Sequence, residues 1–229
     1  MPQEPSKPHS DPHPDKVTVL TKICGVSTPE ALDAAVAAGA SHIGFVFFPQ
    51  SPRYVTPDHA AALAARVQGR AKIVGLFVNP ADAVMTQTLN KVPLDIIQLH
   101  GEESPSLAAH IKADSGKTLW KAIPVRKPKD LLQAEQYIGV ADLILYDAKP
   151  PPGVNLPGGN GLRFDWPILR GYRHALPWAL SGGLDASNIA EAVRVTHATL
   201  LDVSSGVESA PGIKDVDKIA AFLQAAASL

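Results

Sequence analysis

Lys72-Ile73-Val74-Gly75-Leu76-Phe77-Val78 runs into the turn Asn79-Pro80, then a segment of helical spacing over 81–91, then Asp95-Ile96-Ile97-Gln98-Leu99-His100. A β-branched or aromatic run, a Gly/Pro/Asn turn and a longer helix-like segment make one unit, and that unit recurs along the chain. Strand-like runs also fall at 17–23, 42–48, 118–123, 142–147, 176–180 and 199–204, which brings the total to eight. Helix-like segments lie near 29–38, 57–67, 105–114, 128–138, 165–172 and 185–195, with a last one at 214–227. Thr28 before Pro29, Thr56 before Pro57 and Ser104 before Pro105 each put a capping hydroxyl ahead of a first-turn proline. Alternating strands and helices predict a parallel sheet covered by helices. Eight such units in 229 residues predict closure into a single-domain α/β fold, the (β/α)8 TIM barrel, over 17–229. The alternative, an open doubly wound sheet, lacks its Gly-x-Gly-x-x-Gly after the first strand, and the glycine-rich strand ends come after runs seven and eight instead.

Residues 1–16 are proline-rich and hold no large aliphatic residue after Met1, so they read as a disordered tail. Within it His9 and His13 are separated by prolines that forbid a helix bringing both to one face, which argues against a metal pair. Apolar residues make up 45% of the chain, enough for one sizeable core, and the net charge of −1 offers no general attraction to nucleic acid or an anionic membrane. One cysteine cannot form an internal disulfide, and no apolar run reaches the ~18 residues of a membrane span. The expectation is a soluble cytoplasmic protein, a monomer or homodimer, with no membrane or nucleic-acid partner. No clustered Cys, His or carboxylate set has metal-ligand spacing, and no Gly-x-Ser-x-Gly elbow marks a hydrolase.

In a barrel of this kind, reactive groups sit at the C-terminal strand ends. The polar residues there are Cys24, Arg53, His100, Asp147, Asp202 and Ser204. Strand parity puts Lys22 on the face of Cys24, where an ammonium would lower the thiol from its usual ~8.5 toward neutrality and make a thiolate base; a small buried hydrophobe is the ordinary alternative for a free cysteine. Asp147 ends the run Leu143-Ile144-Leu145-Tyr146 on the face of the two leucines; if that face lines the barrel, a partly desolvated carboxyl suits a general acid, and a helix N-cap or turn aspartate is the ordinary alternative. Arg53 lies in the stiff loop Pro49-Gln50-Ser51-Pro52-Arg53-Tyr54 and could grip a carboxylate with two parallel hydrogen bonds; a solvated surface arginine is the ordinary alternative. His100 shares its parity with Gln98, and both could orient a substrate hydroxyl; a structural histidine bonded to backbone is the alternative. Strand seven runs into Ser181-Gly182-Gly183 and strand eight into Ser204-Ser205-Gly206. These paired glycine loops predict a site for a phosphorylated small molecule, although glycines at one strand end alone would more ordinarily just make a turn.

Taken in order, six motifs resemble the phosphoribosylanthranilate isomerase family of tryptophan biosynthesis. They are Lys22-Ile23-Cys24-Gly25; Gly44-Phe45-Val46-Phe47 with Ser51-Pro52-Arg53-Tyr54; Gln98-Leu99-His100-Gly101-Glu102; Gly158-Gly159-Asn160-Gly161 with Phe164-Asp165-Trp166; Leu180-Ser181-Gly182-Gly183-Leu184; and Asp202-Val203-Ser204-Ser205-Gly206-Val207-Glu208. The resemblance runs from about residue 17 to the end. It implies a cofactor-free Amadori rearrangement of a phosphorylated sugar–anthranilate, with Cys24 as general base and Asp147 as general acid. It also implies substrate contacts at Lys22, Arg53, His100 and Asp202, with Arg53 on the anthranilate carboxylate, and a phosphate resting on Gly182, Gly183, Ser205 and Gly206. The chain departs from the pattern in the segment Lys149 to Pro157 and in Leu162-Arg163, where relatives often carry a small hydroxyl residue and a lysine or threonine. Two neighbouring enzymes fit less well. The phosphoribosyl-formimino isomerase of histidine synthesis works with paired aspartates, and indole-glycerol-phosphate synthase uses lysine and glutamate. A non-catalytic barrel that only binds a phosphorylated ligand is the alternative from another class.

Overall fold

Eight parallel strands close on themselves in sequence order in the computed structural model, which describes residues 18–151, 153 and 158–229. They are β1 (Leu20–Cys24), β2 (His42–Val46), β3 (Lys72–Phe77), β4 (Ile96–Leu99), β5 (Thr118–Val125), β6 (Leu143–Ala148), β7 (Trp178–Leu180) and β8 (Leu200–Val203). Closure is made by β1 pairing with β8, with Lys22 opposite Asp202. The barrel expected from the alternating pattern is therefore the fold. The tail expected over 1–16 lies outside the described residues.

Helices α1 (Pro29–Ala37), α2 (Pro57–Val67), α3 (Asp82–Lys91) and α4 (Pro105–Ser115) follow the first four strands. Thr28, Thr56 and Ser104 cap three of them as expected, each accepting from the backbone N–H three residues on. The second half is less regular. After β5 the chain forms a 3₁₀ segment, Pro128–Tyr137, where the pattern predicts an ordinary helix. Its buried residues Leu131, Ala134 and Tyr137 are spaced by three, the 3₁₀ period, so a tighter turn keeps them on one face. After β6, Pro167 and Gly171 confine the helix to a 3₁₀ turn at Trp166–Leu169. Helix α5 (Ile189–Thr196) starts later than predicted because Asp185, Ser187 and Asn188 bond among themselves in a turn. A hairpin absent from the sequence reading, β9 (Glu208–Ala210) with β10 (Ile213–Lys214), precedes α6 (Val216–Ala227).

Alternate residues of each strand enter the barrel. Its floor is apolar, with Val74, Ile96, Trp120, Ala122, Leu145, Ala179 and Leu200 packed together apart from the larger core between strands and helices. Burial of each large apolar side chain contributes roughly 1.5–3 kcal/mol, so this floor can support the polar groups stacked above it. No helix among the described residues is long and apolar enough to cross a membrane.

Candidate active site

At the C-terminal mouth, Cys24, Arg53, His100, Asp147, Asp202 and Ser204 line one cavity, so the groups tallied from sequence converge. Val46, Leu76, Phe48 and Val78 pack around Cys24 as an apolar wall.

Lys22 lies beneath Cys24, fully buried, and its Nζ donates to Asp202 Oδ1 at 2.8 Å. The pairing follows from register, since β1 and β8 bring these residues opposite each other. Ser204 Oγ donates to the Cys24 carbonyl at 3.1 Å. Lys214 reaches the same corner from β10, donating to Ser204 O at 3.0 Å and to Glu208 Oε1 at 2.6 Å. Burial pushes the Cys24 thiol above its ordinary value; Lys22 pulls it down, while Asp202 pushes it further up. This corrects the expectation of a thiol drawn toward neutrality. Lys22 acts in the expected direction, but its charge is shared with Asp202 and the sulfur has lost its water. Burial also works against the Lys22 ammonium, yet Asp202 and Cys24 together hold it above the usual lysine value. One layer down, His42 sits opposite Lys22, and burial, then the nearby ammonium, lower its pKa from 6.5 to about 4.

Across the cavity, His100 Nε2 lies 3.1 Å from Asp147 Oδ2, and Gln98 Nε2 lies 3.0 Å from His100 Nδ1. The Asp147 Oδ1 atom accepts from the Ala148 N–H at 2.8 Å. Gln98 and His100 share a face as expected; they bond to each other, and His100 bonds to Asp147. A buried Lys121 braces this strand end, donating to the carbonyls of Leu99 and Gly101 on either side of His100 and pairing with Glu103 at 3.2 Å.

Arg53 is only 4% exposed, which removes the solvated-arginine reading. Its Nε and Nη2 each lie 2.8 Å from the Glu208 carboxylate, the two-bond grip predicted for a carboxylate partner, and Nη2 also donates to Gly159 O at 3.0 Å. Burial raises the Glu208 carboxyl, but Arg53 and Lys214 outweigh it and hold it below the usual range. Sequence reasoning quoted Glu208 within a motif without giving it work, and missed Lys214 altogether. No local signal marks Lys214, whose place depends on the hairpin turning back.

Gly182, Gly183, Ser205 and Gly206 line a second hollow beside the first, together with Gly159, Asn160, Gly161 and Ser181. Gly182 and Gly183 take φ of 93° and 62°, the left-handed region that favours glycine. A Cβ on Gly182 would stand 2.8 Å from the Ala148 nitrogen, and one on Gly206 would run into the Leu184 carbonyl. Only bare backbone fits there, which leaves N–H groups reachable by an anion. Among the described residues no group of His, Cys, Asp and Glu is arranged to hold a metal ion.

Residues 21–225 match the family model described as N-(5'phosphoribosyl)anthranilate (PRA) isomerase. A relative from Paramagnetospirillum magneticum, named N-(5'-phosphoribosyl)anthranilate isomerase, is 52% identical over 208 residues, covering 91% of this chain and 97% of its own. The crystal structure of phosphoribosyl anthranilate isomerase from Thermotoga maritima superposes with a TM-score of 0.82 at 35% identity, covering 92% of this chain and all of its own. Another solved structure, of a phosphoribosyl anthranilate isomerase, is a complex with reduced 1-(o-carboxyphenylamino)-1-deoxyribulose 5-phosphate. It superposes with a TM-score of 0.80 at 34% identity, over 92% of this chain and 100% of its own.

Proposed function

The chain belongs to the N-(5′-phosphoribosyl)anthranilate isomerase family, and we propose that Asp147 and Cys24 carry out its reaction here as general acid and general base. The reaction is the Amadori rearrangement of N-(5-phosphoribosyl)anthranilate to 1-(2-carboxyphenylamino)-1-deoxyribulose 5-phosphate, in tryptophan biosynthesis. The observation that carries the residue assignment is the convergence of Cys24 and Asp147 on one cavity, flanked by a buried arginine and a glycine-lined hollow.

Asp147 gives its proton to the furanose ring oxygen, and the C1–O bond opens to an iminium. The positive charge at that carbon–nitrogen bond acidifies the C2 proton. It also supplies the cation that a buried thiolate needs, beyond what Lys22 provides after its share with Asp202. Cys24 thiolate takes the C2 proton and leaves an enolamine, which tautomerises to the ketone. The acid step therefore prepares the base step, and a thiol raised by burial is compatible with the order.

The phosphate rests on the backbone of Gly182, Gly183, Ser205 and Gly206, where left-handed glycines keep side chains out of the way. Arg53, held in plane by Glu208, reads the anthranilate carboxylate with the part of its guanidinium that Glu208 does not engage. Lys22, from beneath the cavity, and Asp202, on its lining, form a charge pair at Cys24, and His100 orients Asp147. A cytoplasmic, reducing setting suits a lone functional thiol. The test is a fluorescence assay of phosphoribosylanthranilate consumption with wild type, Cys24→Ser and Asp147→Asn. Rapid turnover by wild type and its loss in both variants is the expected result; turnover by the two variants near the wild-type rate overturns the residue assignment.

A further inference from the structure

Gln98 is fully buried inside the barrel, with its Nε2 3.0 Å from His100 Nδ1 and its Oε1 without a hydrogen-bond partner among the described residues. A buried amide oxygen left unpaired is costly. The amide meets the His100 ring at Nδ1, while the other ring nitrogen, Nε2, lies 3.1 Å from Asp147 Oδ2. Both ends of the amide reach the same space by a half-turn about the terminal side-chain bond, a broad and soft torsion.

Resting on the reading of Asp147 as the acid, we propose that Gln98 is a positioning residue. Its amide offers Nε2–H to His100 when Nδ1 is bare and turns to offer Oε1 when Nδ1 carries a proton. Proton counting leads there. When the His100–Asp147 pair of the free protein holds one proton, His100 donates Nε2–H to the Asp147 carboxylate, Nδ1 is bare, and it needs a donor. When the pair holds two, two arrangements keep the bond between the residues. Either imidazolium faces carboxylate, or protonated Asp147 donates to Nε2 of a neutral ring that carries its hydrogen on Nδ1. Both put a proton on Nδ1, which then needs an acceptor. Asp147 can act as an acid only from the two-proton state, so its readiness to donate depends on which end of Gln98 faces the ring. After Asp147 protonates the ring oxygen, the remaining proton stays on Nδ1 with Oε1 still facing it; solvent restores the second proton after product leaves.

The surroundings leave this choice to the amide. Cys24, Arg53 and Asp202 line the same cavity, and Lys22 lies below, bonded to Asp202. Lys121 stands behind the strand and contacts the carbonyls of Leu99 and Gly101, not the ring. Among the described residues of the β6 and β7 loops, the bare backbones of Gly158 and Gly182 close on Asp147, where a Cβ would fall 2.6 Å from Oδ2 and 3.1 Å from Oδ1.

The experiment follows the His100 ring nitrogens by ¹⁵N NMR through a pH titration of the full chain, assigned with His100→Asn. Wild type should pass from the Nε2–H tautomer to a ring protonated at Nδ1. Gln98→Met, which cannot donate and accepts only weakly, should mix the neutral tautomers and move protonation to lower pH. It should also reduce kcat about tenfold while KM stays within about twofold, a smaller loss than removal of the acid itself. Gln98→Glu, an acceptor only, should hold the Nδ1 hydrogen and move protonation to higher pH. Opposite shifts in the two variants are the expected result; if both keep the wild-type ring spectra and pH–rate profile, the proposal is wrong. If Gln98→Met does not fold, the upward shift or its absence in Gln98→Glu decides alone. The spectra need no turnover, so they separate this proposal from the role of Asp147, which the Asp147→Asn assay tests independently.

Discussion

The two sides of the cavity are built alike and charged differently. Cys24 and His100 both stand at the inner ends of their strands, and each rests on a polar side chain two residues earlier on the same strand face, Lys22 under Cys24 and Gln98 under His100. Beneath the proposed base that support is a buried ammonium tied to Asp202, with Lys214 and Glu208 extending the ionic cluster around the corner. Beneath the histidine that holds the proposed acid it is a neutral amide. The difference matches the work. A thiol must become an anion in a dry site, so positive charge belongs beside it; a carboxyl must hold and release a proton, so a fixed ammonium there would only keep it ionised.

The largest effect expected from breaking this asymmetry is on the base side. Cys24→Ser should fold and bind product analogue yet lose activity by about 10³-fold or more, because a hydroxyl is far too weak an acid to replace the thiolate. Single-turnover fluorescence would read it, and a loss of only a few-fold would move the base elsewhere. Asp147→Asn should lower kcat by about 10²-fold or more with little change in KM.

Arg53→Ala probes the flank shared by both sides. It should raise KM for the anthranilate-bearing substrate about tenfold or more, since a buried charged partner is lost, while ribose 5-phosphate binding measured by calorimetry changes little. Equal losses for both ligands would point to a structural role through Glu208.

Iodoacetamide reads the base side without turnover, because Cys24 is the only thiol. The wild-type labelling midpoint should lie above the ordinary thiol value, as burial dictates. Lys22→Met should move it further up, by removing the cation and exposing the sulfur to Asp202; Asp202→Asn should move it down. Saturating product analogue should protect it. A midpoint indifferent to both substitutions would dissolve the contrast with the amide-supported side.

The smallest effect belongs to the floor. The pKa of His42 falls to about 4 in the folded chain from about 6.5, so the folded state binds fewer protons than the unfolded one between those values. Its contribution to stability is complete above about 6.5 and is lost as pH falls toward about 4. Melting temperature should decline across that window in wild type and decline less in His42→Gln, measured by circular dichroism.

The repeated strand–turn–helix unit, the capping threonines and serine before proline, and the paired glycine loops were legible because they obey local rules: a period, a cap, a residue without a side chain. Strand parity was enough to put Lys22 with Cys24 and Gln98 with His100. Closure of the barrel decided what those pairs mean. It brought Asp202 from β8 against Lys22 from β1, 180 residues apart, and so divided the lysine's charge and left the thiol raised instead of lowered. It brought Glu208 to Arg53 across 155 residues, turning an arginine that a loop sequence could leave in solvent into a buried, clamped one. Periodicity and parity are carried by neighbours within a few residues and can be read from the chain. Burial and charge pairing depend on which distant side chains arrive in the same dry space, and only the folded barrel determines that.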